Sequence, residues 1–191
     1  MNLHNPLLYR MKILIIDDEP SNVALLEYLL RENGYNRIQS VTDARTALET
    51  FATFEPDLIL LDLMMPHIDG LAILEAVRSG HELEAFLPVV VLTADVNEET
   101  KRRALTAGAT DFLCKPFDHT EVCLRIRNLL ESRRAHLLLD NQRAAFEDAV
   151  RERTAEMRAA YAERAPRSSG ASSSDSSVTA PPQSPVSSES R

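Results

Sequence analysis

Three short runs in the 191-residue chain are continuously hydrophobic, but for the Lys that opens the first: Lys12–Ile16, Leu58–Leu61 and Val89–Leu92. They are too short for helices and show no polar alternation, so they suit strands buried on both faces of a parallel sheet. Arg37–Val41 and Asp111–Cys114 are weaker runs of the same length class. Between the five lie helical patterns at Pro20–Asn33, Asp43–Phe54, Leu71–Ser79 and Asn97–Ala107. Pro20 suits a first helical turn, and Gly34, Gly80 and Gly108 are placed to follow helix ends. Strand and helix alternating five times predict an α/β fold with right-handed crossovers and helices on both faces of the sheet.

From Asp118 the helical pattern runs on to Arg164 with no Gly or Pro to break it. Val122, Ile126, Leu129 and Leu130 are expected to face the sheet. Further on, Leu139, Phe146, Val150, Met157 and Ala160 fit alternating heptad positions, while His136, Arg143 and Arg153 interrupt the same seam. A weak coiled coil that pairs two chains and a solvated single helix both fit that pattern. Residues 165–191 collapse to Ser, Pro and Ala with no apolar period, which predicts disorder. The expected division is an N-terminal extension (1–10), a folded domain (11–130), a helical extension (131–164) and the Ser/Pro-rich tail. Met11 directly precedes the first strand, so Met1 and Met11 both remain open as starts.

Charge narrows the function classes. The chain has a formal net charge of −8. The acidity concentrates in 11–118, with 9 Lys and Arg against 19 Asp and Glu, whereas 119–164 is nearly neutral. That balance argues against direct nucleic-acid capture and against docking on an anionic membrane. No run approaches the ~20 apolar residues of a membrane helix, and Met1–Arg10 lacks the pattern of a secretory signal. A cytoplasmic location is the expectation. Cys114 and Cys123 supply neither a disulfide framework nor a zinc ligand set, and both read as packing residues.

In open parallel sheets ligands bind beyond the carboxyl ends of the strands. There the chain carries Asp17, Asp18 and Glu19 after the first run, Asp62 after the third, Thr93 after the fourth and Lys115 near the end of the fifth. Two unit charges ~4 Å apart repel by about 4 kcal/mol at an effective dielectric near 20, so converging carboxylates require a cation. Oxygen-only donors select a hard divalent ion, Mg²⁺ above all. A nucleophilic carboxylate, a metal, an ammonium and a hydroxyl are together the parts of a phosphoryl-transfer site.

With these motifs in place the chain resembles the receiver domain of two-component response regulators over about residues 11–130. ILIIDDEP (13–20), DLMMPHIDG (62–70), VLTAD (91–95) and GATDFLCKPF (108–117) carry the likeness. The resemblance implies a doubly wound sheet of order 2-1-3-4-5, and Asp62 as phosphoacceptor. It implies Mg²⁺ held by Asp18, Asp62 and the Met64 backbone carbonyl, with Asp17 acting mainly through water. Lys115 would pair with the acyl phosphate, Thr93 would hydrogen-bond it, and Phe112 would be the aromatic that moves inward on switching. The implied partners are a sensor histidine kinase or phosphotransfer protein upstream and a protein downstream. His67 in the phosphoacceptor loop and Phe112 in place of Tyr depart from the usual pattern.

Asp57 stands at the wrong end of its strand for this site and reads as structural. Asp69 and Gly70 shape the turn into the third helix, and Lys101-Arg102-Arg103 reads as a solvated face. His119 and His136 read as surface-helix residues rather than phosphotransfer histidines. A hydrolase of the haloacid-dehalogenase type is disfavoured, because that chemistry needs Asp-x-Asp after the first strand. No enzymatic or DNA-binding output is visible. Asn128–Arg164 resembles the signalling helix found before cyclic-dinucleotide phosphodiesterases, cyclases and kinase modules, so a regulatory fragment of such an enzyme is the alternative to a stand-alone binding module.

Overall fold

A computed structural model describes residues 7–80, 86–94 and 97–164. The Ser/Pro-rich segment 165–191, residues 1–6 and Asp95 lie outside the described residues. The strands are β1 (Lys12–Ile16), β2 (Arg37–Val41), β3 (Leu58–Asp62), β4 (Val89–Thr93) and β5 (Asp111–Cys114). The helices are α1 (Pro20–Glu32), α2 (Ala47–Phe54), α3 (Gly70–Gly80), α4 (Glu98–Thr106) and α5 (His119–Arg164). All five strands run parallel in the order β2-β1-β3-β4-β5, the doubly wound sheet the sequence implied.

The unbroken apolar runs are explained by two-sided cover. Along β1, Ile13 and Ile15 join one core with Val23 and Leu26 of α1 and Val122 and Ile126 of α5. Leu14 and Ile16 join the other, with Ala47 of α2, Ile73 and Leu74 of α3 and Ala104 of α4. Alternate residues thus enter opposite cores, as the period of a strand requires. At the sheet edge β2 is covered less, and Arg37 and Gln39 are exposed.

The helix ends follow local chemistry. Glu19 caps α1 through Ser21 N, with Pro20 at the first position. Asn97 caps α4 through Thr100 N. Gly34 and Gly108 take left-handed backbones (φ 91 and 97) just past α1 and α4. The reading of Gly80 as a residue past the helix is corrected: it is the last residue of α3 itself. The stop after α2 is Glu55, left-handed at φ 50, a position the sequence did not flag.

The chain divides into two units, Met1–Glu147 and Asp148–Arg191. The sheet and its covering helices belong to the first. Within it, Leu8 of a 3-10 turn (Leu8–Arg10) is buried, and Tyr9 meets Tyr35 edge-on at 5.8 Å, so part of the 1–10 segment contributes to the core. α5 stays attached past Leu130: Arg133 Nη1 donates to the Phe86 carbonyl at 2.8 Å, and His136 stacks on the Phe86 ring at 4.5 Å. Within the second unit, α5 carries the internal ion pairs Arg151–Asp148 and Arg153–Glu156. Leu139, Phe146, Val150 and Met157 are all exposed in the single chain.

Candidate functional site

Parallel strands end together, so the residues just past β1, β3, β4 and β5 are delivered to one edge of the sheet. Asp17 follows β1 and is fully buried, Asp62 ends β3, Thr93 ends β4, and Lys115 follows β5. Lys115 Nζ donates to Asp62 Oδ2 at 2.7 Å and to Asp17 Oδ2 at 2.8 Å. Asp17, Asp18 and Asp62 each offer a carboxylate oxygen, and these oxygens lie within 4.8 Å of one another. Lys115 is held there by its own backbone, whose N–H donates to the Thr93 carbonyl at 2.8 Å.

The electrostatics follow from burial. Burial pushes the Asp62 carboxyl above the ordinary carboxylate range, against the Lys115 and Met64 N–H hydrogen bonds that stabilise its charge, and Asp17 adds to the rise. For Lys115, burial alone would lower the ammonium's pKa. The hydrogen bonds it donates to Asp17 and Asp62, with the charges of both, outweigh it, so the net shift is upward. Among these four side chains three carboxylates face one ammonium. The oxygen-only donor set fits a hard divalent cation such as Mg²⁺, with Asp17, Asp18 and Asp62 as the residues that would hold it.

Other expected residues fall as follows. Met64 donates its backbone N–H to Asp62 Oδ1 at 3.2 Å, and the residue is 71% exposed. Thr93 is buried. Phe112 is half-buried and three residues before Lys115. His67 is exposed and sits in the left-handed region, φ 72. Asp69 caps α3, its Oδ1 accepting from Leu71 N at 2.9 Å. Asp57 is at the opposite edge of the sheet, accepting from Lys12 N at 2.9 Å.

Two residues that matter were not singled out for their part here. Asn22, in the first turn of α1, donates from Nδ2 to both Asp17 oxygens at 3.2 and 3.3 Å and so fixes that carboxylate. The only signal in the sequence was a polar residue five positions after Asp17, on a helix whose next residue, Val23, is core. Gly70 is tighter than a turn residue needs to be. A Cβ there would lie 2.1 Å from the Asp62 carbonyl oxygen and 2.7 Å from Leu63 Cα. Only glycine lets α3 start against the backbone that carries Asp62.

The response regulator receiver domain matches residues 13–127 of the chain. The chain belongs to that family. Its receiver is 40% identical over 119 residues to the Bacillus subtilis alkaline phosphatase synthesis transcriptional regulatory protein PhoP, covering 62% of this chain and 48% of that protein. A Vibrio cholerae protein named "Probable cyclic di-GMP phosphodiesterase" is 32% identical over 145 residues, covering 76% of this chain and 32% of that one. Among solved structures, the Francisella response regulator 1452 receiver domain superposes with a TM-score of 0.58 at 30% identity, covering 64% of this chain and 98% of that one. The chain therefore spans about half or less of the length of these curated relatives and matches an isolated receiver end to end. No catalytic domain is recognised beside the receiver, and among the described residues no helix is long and apolar enough to cross a membrane.

Proposed function

We propose that this receiver accepts a phosphoryl group on Asp62 from the phosphohistidine of a sensor kinase or phosphotransfer protein, and thereby switches a surface read by a downstream protein. An Asp62 oxygen attacks phosphorus, the P–N bond breaks, and the leaving imidazole takes a proton from solvent. Asp18, Asp62 and the Met64 carbonyl would hold Mg²⁺ directly and Asp17 mainly through water, and the ion would neutralise charge on the phosphoryl oxygens. Lys115 would move from carboxylate to phosphoryl oxygen, and Thr93 would donate its hydroxyl to another. Phe112 would follow Thr93 inward.

The observation that carries this reading is the surplus of negative charge: Asp17, Asp18 and Asp62 converge, and the one ammonium among them, Lys115, pairs with two of the three. A structural ion pair needs no such excess. Intact-mass spectrometry after treatment with acetyl phosphate and Mg²⁺ tests it. The expected result is a single base-labile phosphoryl adduct that requires Mg²⁺ and vanishes in Asp62→Asn. An unmodified wild type that still binds Mg²⁺ would contradict phosphoacceptance.

A second reading has its own support. The match to the Vibrio cholerae protein runs 145 residues, more than the receiver span of 13–127 contains, so it takes in sequence outside the receiver. On that reading the receiver and α5 are the regulatory part of a cyclic-dinucleotide phosphodiesterase, cyclase or kinase whose catalytic domain lies outside this sequence. A catalytic domain encoded contiguously with Arg191 would decide for it. In either case the exposed Leu139 and Phe146 leave α5 free to pair with a second copy, and a one-chain mass by sedimentation at high concentration would eliminate that dimer.

A further inference from the structure

The basic run on α4 is not a uniform solvated face. Arg102 is turned to Glu99, with Nη2 contacts of 2.7 and 2.9 Å. Lys101 is turned elsewhere: it is half-buried, and its Nζ lies 4.7 Å from the centroid of the Phe112 ring. That distance is within the range of an attractive ammonium–ring contact. Phe112 also packs against the core between the sheet and α2–α4. Phe112 pairs in register with Val91, and Cys114, two residues on, with Thr93, so the ring sits one strand step from the carboxylate cluster. Without a hydroxyl the ring can offer a polar partner only its π face, and a cation is the partner that suits it.

We infer that Lys101 is a positioning residue for the switch: its ammonium holds the Phe112 ring half-exposed in the unphosphorylated state, and the ring must leave it to move inward. The inference rests on the phosphoryl-switch reading above. A contact present in only one of two states biases the equilibrium by its own worth. A surface cation–π contact corresponds to a population factor of about two to five. Simple electrostatics acts in the opposite direction, because deleting a nearby cation weakens anion binding. The sign of the effect therefore separates ring-holding from charge.

The test is a titration of the full chain, in Mg²⁺, with beryllium fluoride as the phosphoryl mimic, read as the bound fluorine signal by ¹⁹F NMR. Lys101→Ala, which keeps a good helix former on α4, is expected to half-saturate at a two- to fivefold lower concentration than wild type. Lys101→Arg keeps a cation over the ring and is expected to match wild type. In a Phe112→Leu background, Lys101→Ala is expected to change nothing further. Unchanged or weaker binding by Lys101→Ala, or a Lys101→Arg variant that behaves like the alanine, overturns the inference. So does an equal gain from Lys101→Ala once Phe112→Leu has removed the ring. A wild type that shows no bound signal at all overturns the switch reading itself, a different result from any of these.

Discussion

The two edges of the sheet both bury charged side chains, and they do it differently. At the carboxyl edge Asp17, Asp18 and Asp62 lie together with one ammonium, which pairs with Asp17 and Asp62, and the Glu19 and Met64 N–H groups donate to the same two carboxylates. At the amino edge the signs balance: Lys12 and Arg133 face Asp57 and Glu55. There the groups also tie down backbone. Lys12 Nζ donates to the Phe54 carbonyl, Arg133 Nη1 to the Phe86 carbonyl, and Asp57 accepts from Lys12 N. Arg133 Nε has no hydrogen-bond partner and lies 3.8 Å from Asp57 Oδ1, within ion-pair but beyond hydrogen-bond distance. Both clusters are tied to backbone, but the balanced one is neutralised by its own members, whereas the other is left with a surplus of negative charge that a cation could neutralise.

The sharpest way to break that contrast is at Gly70. A side chain there collides with the Asp62 carbonyl and Leu63, both backbone, so nothing flexible can yield. Gly70→Ala is expected to lose about 3 kcal/mol or more in denaturant unfolding, the upper range of overpacking costs, and to lose Mg²⁺ affinity with it. A variant that keeps both would mean that the carboxyl edge tolerates displacement as a mere structural cluster would.

Next in size is the metal. Free Mg²⁺ at 100 times its dissociation constant should add about 2.7 kcal/mol to the stability of wild type. The gain should disappear in Asp18→Asn and persist in Asp57→Asn, measured by thermal unfolding with and without Mg²⁺. Equal gains in both variants would place the ion away from the carboxyl edge.

Much of this contrast was legible before any coordinates. The β1, β3 and β4 runs were readable because two-sided burial leaves no polar position to blur them, and strand ends then fixed which edge each Asp and Lys must occupy. That basis alone separates Asp57 from Asp62. What stayed hidden depends on contacts between elements distant in sequence. Asn22 looks like any helix-surface amide until Asp17 is placed beside it. Arg133 reads as one more arginine of a charged helix, although it is buried against Asp57 and Phe86, 76 and 47 positions away. Lys101 reads as a solvated residue, because nothing local announces that the Phe112 ring will lie beneath it. Periodicity reports which face is buried, not what a polar atom meets there.

Opposite signs on neutralising one acid at each edge give the next comparison. In metal-free protein Asp62→Asn removes one of three crowded carboxylates and is expected to raise stability by about 1 kcal/mol, one partly screened charge interaction. Asp57→Asn removes the charge that faces the buried Arg133 guanidinium at 3.8 Å and that accepts the Lys12 N–H, and is expected to lower it by about 2 kcal/mol, the worth of a hydrogen bond to a charged group. Denaturant midpoints in EDTA check both. If the two changes carry the same sign, the edges are electrostatically alike and the contrast fails.

The smallest effect tests whether the amino edge uses charge at all at its rim. Glu55 lies 3.6 Å from Lys12 Nζ, but its side chain is 81% exposed. Solvent screening leaves such a pair worth under about 0.5 kcal/mol, so Glu55→Gln should leave the unfolding midpoint nearly where it is. Lys12 keeps the Phe54 carbonyl at 2.9 Å and the Phe54 ring at 5.8 Å in either case. What position 55 does contribute is backbone: it ends α2 in the left-handed region at φ 50, where a side chain is strained. Glu55→Gly should therefore gain up to about 1 kcal/mol despite losing the same charge. A gain from glycine with no loss from glutamine would show that the rim charge is incidental, and that the stability of this edge resides in its buried, backbone-bound groups.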